Sequence, residues 1–322
     1  MLLVRAMWLC LLFLAVMLTT SKASAQEPTF AERLGWPAGS RVVIFHVDDA
    51  GMSHDSNMGA IEAIEKGVAT STSLMMPCAW VPEFARYMKK HPGMDVGLHT
   101  TLTSEWENYR WGPVAGKAAV PGLVDEEGCL WNDVPLVVQH ASADEVEKEI
   151  RAQVDRAEAM GIQLTHLDSH MGTVFEMKYF ERYLKVGAEK HIPILVPGGH
   201  LQHTALEYPE LVAVARELGK KTWELGLPVV DDIDGGGFEA KNYPNKKDQI
   251  LDFLKTMKPG ITQFIVHCTK PTDTFDKISG SGDTRLAELK AMTDPDVRKC
   301  AEENKTIFTT WRELKERRDK AK

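Results

Sequence analysis

The sequence predicts an α/β protein, a distorted (β/α) TIM-like barrel with mostly parallel strands. Two patterns carry that expectation. Short apolar, β-branched runs alternate with amphipathic helical stretches, and the polar residues able to do chemistry fall at the C-terminal ends of those runs. A third observation bounds it: 322 residues, 43% hydrophobic and 26% charged, make a globular chain long enough for one large core. The formal charge of −8, with no block of Lys and Arg, argues against nucleic acid as a partner, because an acidic chain repels a phosphate backbone.

The chain opens with Arg5, an unbroken apolar run over 6–18, the polar Thr19, Thr20, Ser21 and Lys22, and then Ala23-Ser24-Ala25. A charged start, an apolar middle too short to span a bilayer and an A-x-A end describe a signal peptide over 1–25. The expected mature chain starts at Gln26 and is exported, periplasmic or secreted, with no membrane contact after cleavage. Residues 26–322 then read as a single barrel domain. Strands are expected at 41–47, 71–76, 95–99, 163–167, 192–196, 228–233, 261–267 and 306–310. Helices are expected at 57–65, 143–160, 177–190, 206–218 and 247–257, with Ser142 and Glu145 as a capping box for the longest. That many strands fits a barrel better than an open doubly wound sheet. Residues 105–134, rich in Gly, Pro and Trp and without a period, read as an insertion after the third strand. Cys78, Cys129, Cys268 and Cys300 remain after cleavage; their spacing fits no zinc finger, and their pairing is open.

Parallel strands place their C-terminal ends on one rim, where ligands bind. There the apolar run 42–45 leads into His46-Val47-Asp48-Asp49, Gly97-Leu98 into His99, Leu164-Thr165 into His166-Leu167-Asp168-Ser169-His170, and Phe264-Ile265-Val266 into His267. Residues distant in sequence therefore converge. Successive side chains on a strand point to opposite sides, so the carboxylates of Asp48 and Asp49 divide labour: one holds a metal and its neighbour takes a proton from water. With His99 and His170 this makes an Asp/His/His set with open positions, suited to a hydrolytic divalent ion, Zn2+ or Mg2+. Asp231-Asp232-Ile233-Asp234 lacks the spacing of a calcium loop and reads as a solvated turn. Trp106, Trp111 and Trp131 lie in the insertion and either offer ring faces to a ligand or pin the insertion to the barrel, and His200 and His203 border the cleft.

Residues 46–53 (His-Val-Asp-Asp-Ala-Gly-Met-Ser), 97–103 (Gly-Leu-His-Thr-Thr-Leu-Thr) and 165–170 (Thr-His-Leu-Asp-Ser-His) resemble, in order and spacing, the motifs of the YdjC-like carbohydrate deacetylases. The resemblance implies hydrolysis of N-acetyl groups from amino sugars or oligosaccharides on a distorted (β/α) barrel. It further implies Asp49, His99 and His170 as metal ligands and Asp48 as general base. It makes His267 a general acid or an oxyanion donor, and it leaves His166 and Asp168 as outer groups that hold His170 and the base. Trp106 and Trp111 would then touch substrate, and a homodimer is a possible assembly. A secreted sugar-binding barrel protein, catalytically inactive or with a different reaction, is the alternative. The chain departs from the motifs at His46, where the family has Asn, at Ala50, where it has an aromatic, and at Met171-Gly172-Thr173, which stands in place of a histidine run.

Overall fold

The computed structural model describes residues 27–235 and 245–321. The expected signal peptide over 1–25 lies outside them, and among the described residues no helix is long and apolar enough to cross a membrane. The strands are β1 (Arg41–Ala50), β2 (Ser71–Leu74), β3 (Val96–Thr100), β4 (Leu167–Ser169), β5 (Asp232–Asp234), β6 (Gly260–Val266) and β7 (Ile307–Phe308). They pair in the order β4-β3-β2-β1-β6-β5, with β7 on β1, and every ladder is parallel. Central β1 is almost wholly buried, as a strand covered on both faces must be, and this is why its sequence reads as an apolar run rather than an alternation.

The expected strands at 192–196 and 228–233 survive mainly as single bridges, Leu167 to Ile194 and Pro197 to Val230. Those bridges matter for closure. Leu167 N–H donates to Pro193 O (2.8 Å), Leu195 N–H to Leu167 O (2.8 Å) and Gly198 N–H to Val230 O (2.9 Å), so backbone bonding continues from β4 to β5 and the curled sheet becomes a distorted barrel. The fourth strand runs over Leu167–Ser169 rather than 163–167, because its register pairs His99 with Asp168 and Thr100 with Ser169. The helix expected at 206–218 is broken by Pro209, whose missing N–H and ring cannot continue a helix; a short turn Thr204–Glu207 precedes it and a helix Val212–Glu224 follows. The capping box at Ser142 and Glu145 is present at the start of Ala143–Ala159.

Side chains from alternate positions of β1 enter two apolar clusters. Val43, Phe45 and Val47 pack outward with Phe253 and Phe264, whereas Val42 and Ile44 join Ile261, Phe30, Trp311 and Leu314. The second cluster lies toward the floor, the end where the strands begin. Fully buried Trp311 opens the C-terminal helix Trp311–Lys320 and donates its indole N–H to Gln263 Oε1 (2.8 Å). Asp231 and Asp232 are buried, not a solvated turn: Asp231 precedes β5 and Asp232 begins it. The four described cysteines are all free thiols.

Candidate active site

The site begins with a defect in β1. Between Val47 and Ala50 two residues oppose one on β2, and Asp49 has φ 64°, a left-handed backbone that few residues other than Gly tolerate. A regular strand would send the two carboxylates to opposite faces. The bulge turns both toward His99, whose Nε2 lies 3.3 Å from Asp49 Oδ1 and 3.8 Å from Asp48 Oδ2. The expectation that neighbouring carboxylates point apart therefore fails here, while a division of labour stays open through their different partners.

Asp49 Oδ2 accepts from the Arg285 guanidinium (2.7 Å), which comes from the helix Gly282–Thr293. Asp49 Oδ1 faces inward, 3.3 Å from His99 Nε2 and 3.3 Å from His170 Nδ1, yet it is buried and meets neither in hydrogen-bond geometry. The remaining ring nitrogens are committed elsewhere. His99 Nδ1–H donates to Asp168 Oδ1 (2.8 Å) and His170 Nε2–H to Glu105 Oε1 (3.0 Å). A carboxylate that takes the far N–H fixes the tautomer and leaves the near nitrogen's lone pair aimed at the centre, the arrangement found around metal-bound histidines. The three donor atoms cluster closely enough to hold one ion. The 3.3 Å from Asp49 Oδ1 to each imidazole nitrogen equals the edge of a tetrahedron whose bonds are about 2.0 Å, the usual zinc–nitrogen length.

Electrostatics point the same way. Burial alone would lift the Asp49 carboxyl, but Arg285, His170 and His99 hold it well below the usual carboxylate range. Burial alone would lower His170, but Glu105 and Asp49 push it up to about 9; His99, between Asp48 and Asp168, is likewise pushed up. A buried cluster whose carboxylates favour added positive charge on its imidazoles also favours a divalent ion, which takes the place of such protons. These residues fit a metal ion.

Asp168 lies in β4 and holds His99. His166 is buried beside it, its Nε2 3.7 Å from Asp168 Oδ2 and its ring stacked on Trp311 (5.1 Å), and Gly97 leaves it room because a Cβ there would sit 2.4 Å from the imidazole. His267 follows β6, with Nε2 3.8 Å from Asp48 Oδ2; burial first, then Arg285 and the neighbouring histidines, hold it well below the ordinary imidazole value despite Asp49. Its backbone N–H is held by Glu288 (2.7 Å). Trp111 is buried, donates to Thr103 O (2.9 Å) and packs edge-on to His170 (6.4 Å), so it pins the insertion to the site rather than offering an open face. Trp106 is half-buried against Trp111 (5.4 Å). His203 is taken up by Asp232 (2.9 Å).

Glu105, Arg285 and His46 escaped the sequence reading as site residues. Glu105 opens the insertion that looked like a loop of no period, and Arg285 is 236 positions from its partner. His46 carried one signal, its place immediately before the Val-Asp-Asp run at the end of an apolar strand.

Comparison with known proteins adds the family. The model of the YdjC-like proteins matches residues 42–303. A carbohydrate deacetylase of Thermus thermophilus is 32% identical over 285 residues, 88% of this chain and 97% of that protein. A chitooligosaccharide deacetylase of Yersinia enterocolitica is 27% identical over 271 residues, 82% of this chain and 95% of that one. A solved structure from Enterococcus faecalis V583, whose given name refers to cellobiose-phosphate cleavage, superposes with a TM-score of 0.69 at 22% identity, covering 85% of this chain and 99% of that one; it shows the shared fold. The chain belongs to the YdjC-like family.

Proposed function

Starting from that membership, we propose that the protein is an exported, metal-dependent deacetylase that hydrolyses N-acetyl groups of amino sugars or their oligosaccharides, with residues 26–322 as one catalytic domain. The observation that carries the reading is the convergence of Asp49 Oδ1, His99 Nε2 and His170 Nδ1 on one buried point, with Asp48 Oδ2 3.8 Å from His99. The names of the relatives support the substrate class. The Arg5 to Ala25 pattern supports export.

Asp49, His99 and His170 would hold Zn2+ or Mg2+, with the donor spacing favouring zinc. A divalent ion bound there supplies Lewis acidity, lowering the pKa of water and polarising the amide carbonyl. The protein's own groups then do the following. Asp48 Oδ2 accepts the proton of the attacking water, and the new C–O bond converts the amide carbon to a tetrahedral centre. His267, kept neutral by burial, donates its ring N–H toward the oxygen that gains charge, so the oxyanion role suits it better than that of a proton-carrying acid. Asp48 returns its proton to the amide nitrogen as the C–N bond breaks, releasing acetate and the free amine. Trp111 and the insertion keep bulk water from the inner side of His170.

The test is acetate release from a panel of N-acetylated mono- and oligosaccharides by the Zn2+- or Mg2+-loaded protein, compared with chelator-treated protein. Release that needs metal is expected. A metal-loaded protein that binds these glycans and releases no acetate from any of them would replace the hydrolase reading with sugar binding.

A further inference from the structure

We propose that His46 is the positioning residue that aims the Asp48 carboxylate, by joining it to the carboxylate that orients His99. The proposal deepens the reading of this site as a hydrolase and adds a residue with no assigned role. His46 is fully buried in β1. Its Nε2 lies 3.0 Å from Asp48 Oδ1, 2.9 Å from Asp168 Oδ2 and 3.1 Å from Ser73 Oγ. Asp168 at the same time accepts from His99 through its other oxygen (2.8 Å). One imidazole thus stands between two buried carboxylates that would otherwise repel each other at short range.

The consequence for Asp48 is orientation. With Oδ1 turned to His46, in a 3.0 Å contact short of hydrogen-bond alignment, Oδ2 is the oxygen presented to the centre, 3.8 Å from both His99 Nε2 and His267 Nε2. The His46 ring cannot swing away. It packs edge-on to His166 at 5.0 Å, and His166 is stacked on Trp311 at 5.1 Å, so the setting of the base is carried by a column of rings that reaches the floor cluster. Arg285 does not do this work, because its guanidinium meets Asp49. A general base displaced by about 1 Å loses roughly 10²-fold in rate.

His46→Phe keeps the ring and removes every donor, whereas His46→Gln places an amide N–H close to where Nε2 stands. Two measurements on full-length variants decide the matter. Crystal structures of zinc-loaded wild type and His46→Phe should show Asp49, His99 and His170 unmoved and the Asp48 carboxylate turned from its wild-type orientation. This readout does not depend on which substrate the protein takes. Kinetics on an N-acetylated glycan should show kcat down about 10²-fold in His46→Phe, with KM and metal content near wild type, and His46→Gln recovering at least tenfold of that loss. An unmoved Asp48, or a His46→Phe variant with wild-type kcat, overturns the proposal. So does a variant whose metal content and kcat fall in parallel without rescue by Gln, which would mark His46 as packing alone. Absence of acetate release from the wild type would remove the hydrolase reading, and the orientation of Asp48 would still decide for or against His46.

Discussion

The two ends of the barrel use the same residue type to opposite effect. At the floor, where the strands begin, Asp231 accepts from the backbone N–H of Phe30 (2.9 Å), Ala31 (3.3 Å) and Ile261 (2.8 Å), and Asp95 accepts from those of Trp311 (3.2 Å) and Arg312 (2.9 Å). Those carboxylates tie the terminal helices to the sheet. At the rim, where the strands end, Asp48, Asp49 and Asp168 are equally buried but turn oxygens to imidazoles instead of backbone: Asp48 Oδ1 and Asp168 Oδ2 lie 3.0 and 2.9 Å from His46 Nε2, short of hydrogen-bond alignment, and Asp49 Oδ1 lies 3.3 Å from His99 and His170 and is bonded to neither. They face imidazoles and one another. A buried carboxylate saturated by backbone donors stabilises a fold, whereas one left with an idle oxygen is costly unless something binds it. The difference separates scaffold from chemistry within one barrel.

That contrast breaks first if a rim substitution behaves like a floor substitution. The largest effect is expected for His99→Ala or His170→Ala: bound metal, read by elemental analysis, should fall to background and acetate release with it, because two remaining ligands hold a divalent ion poorly. Full metal content in either variant would move the centre elsewhere. Next comes Asp48→Asn, which should keep its metal while kcat falls by about 10² to 10⁴, the worth of a positioned base; near-normal turnover would reduce Asp48 to a structural group. Glu105→Gln should be milder, weakening metal affinity by roughly 10- to 100-fold through its hold on His170, as competition with a calibrated chelator would measure.

The floor should answer in stability instead. Burial lifts the Asp231 carboxyl to about 6 against its three backbone donors. The folded chain therefore binds that proton more tightly than the unfolded one, whose value is about 3.9. The contribution is fully present below about pH 4 and is lost as pH rises through about 6, a change on the order of 3 kcal/mol. Denaturant melts from pH 4 to 7 should show that slope in the wild type and its absence in Asp231→Asn. The activity of folded Asp231→Asn should match the wild type; a specific loss of kcat there would erase the contrast between floor and rim.

The class of the fold and the residues of the rim are legible in the amino-acid pattern. Short runs such as 42–45 and 264–266 are apolar throughout, as strands covered on both faces are, and their alternation with helical stretches points to a parallel sheet. Parallel strands put His46, Asp48, Asp49, His99, Asp168, His170 and His267 at one end before any contact is known. Which of these residues meet is set by the packing of the elements. The bulge at Asp48 and Asp49 exists only in the pairing of β1 with β2, and it cancels the alternation that local geometry predicts. Asp168 reaches His99 because the β3–β4 register places them side by side, while Glu105 meets His170 from an insertion whose path is set by Trp111 and by Glu149, which holds the backbone at Val114 and Ala115. Arg285 arrives from a helix 236 positions away. Periodicity reports burial along one element, and partnership between elements depends on register and helix placement, which no local pattern encodes.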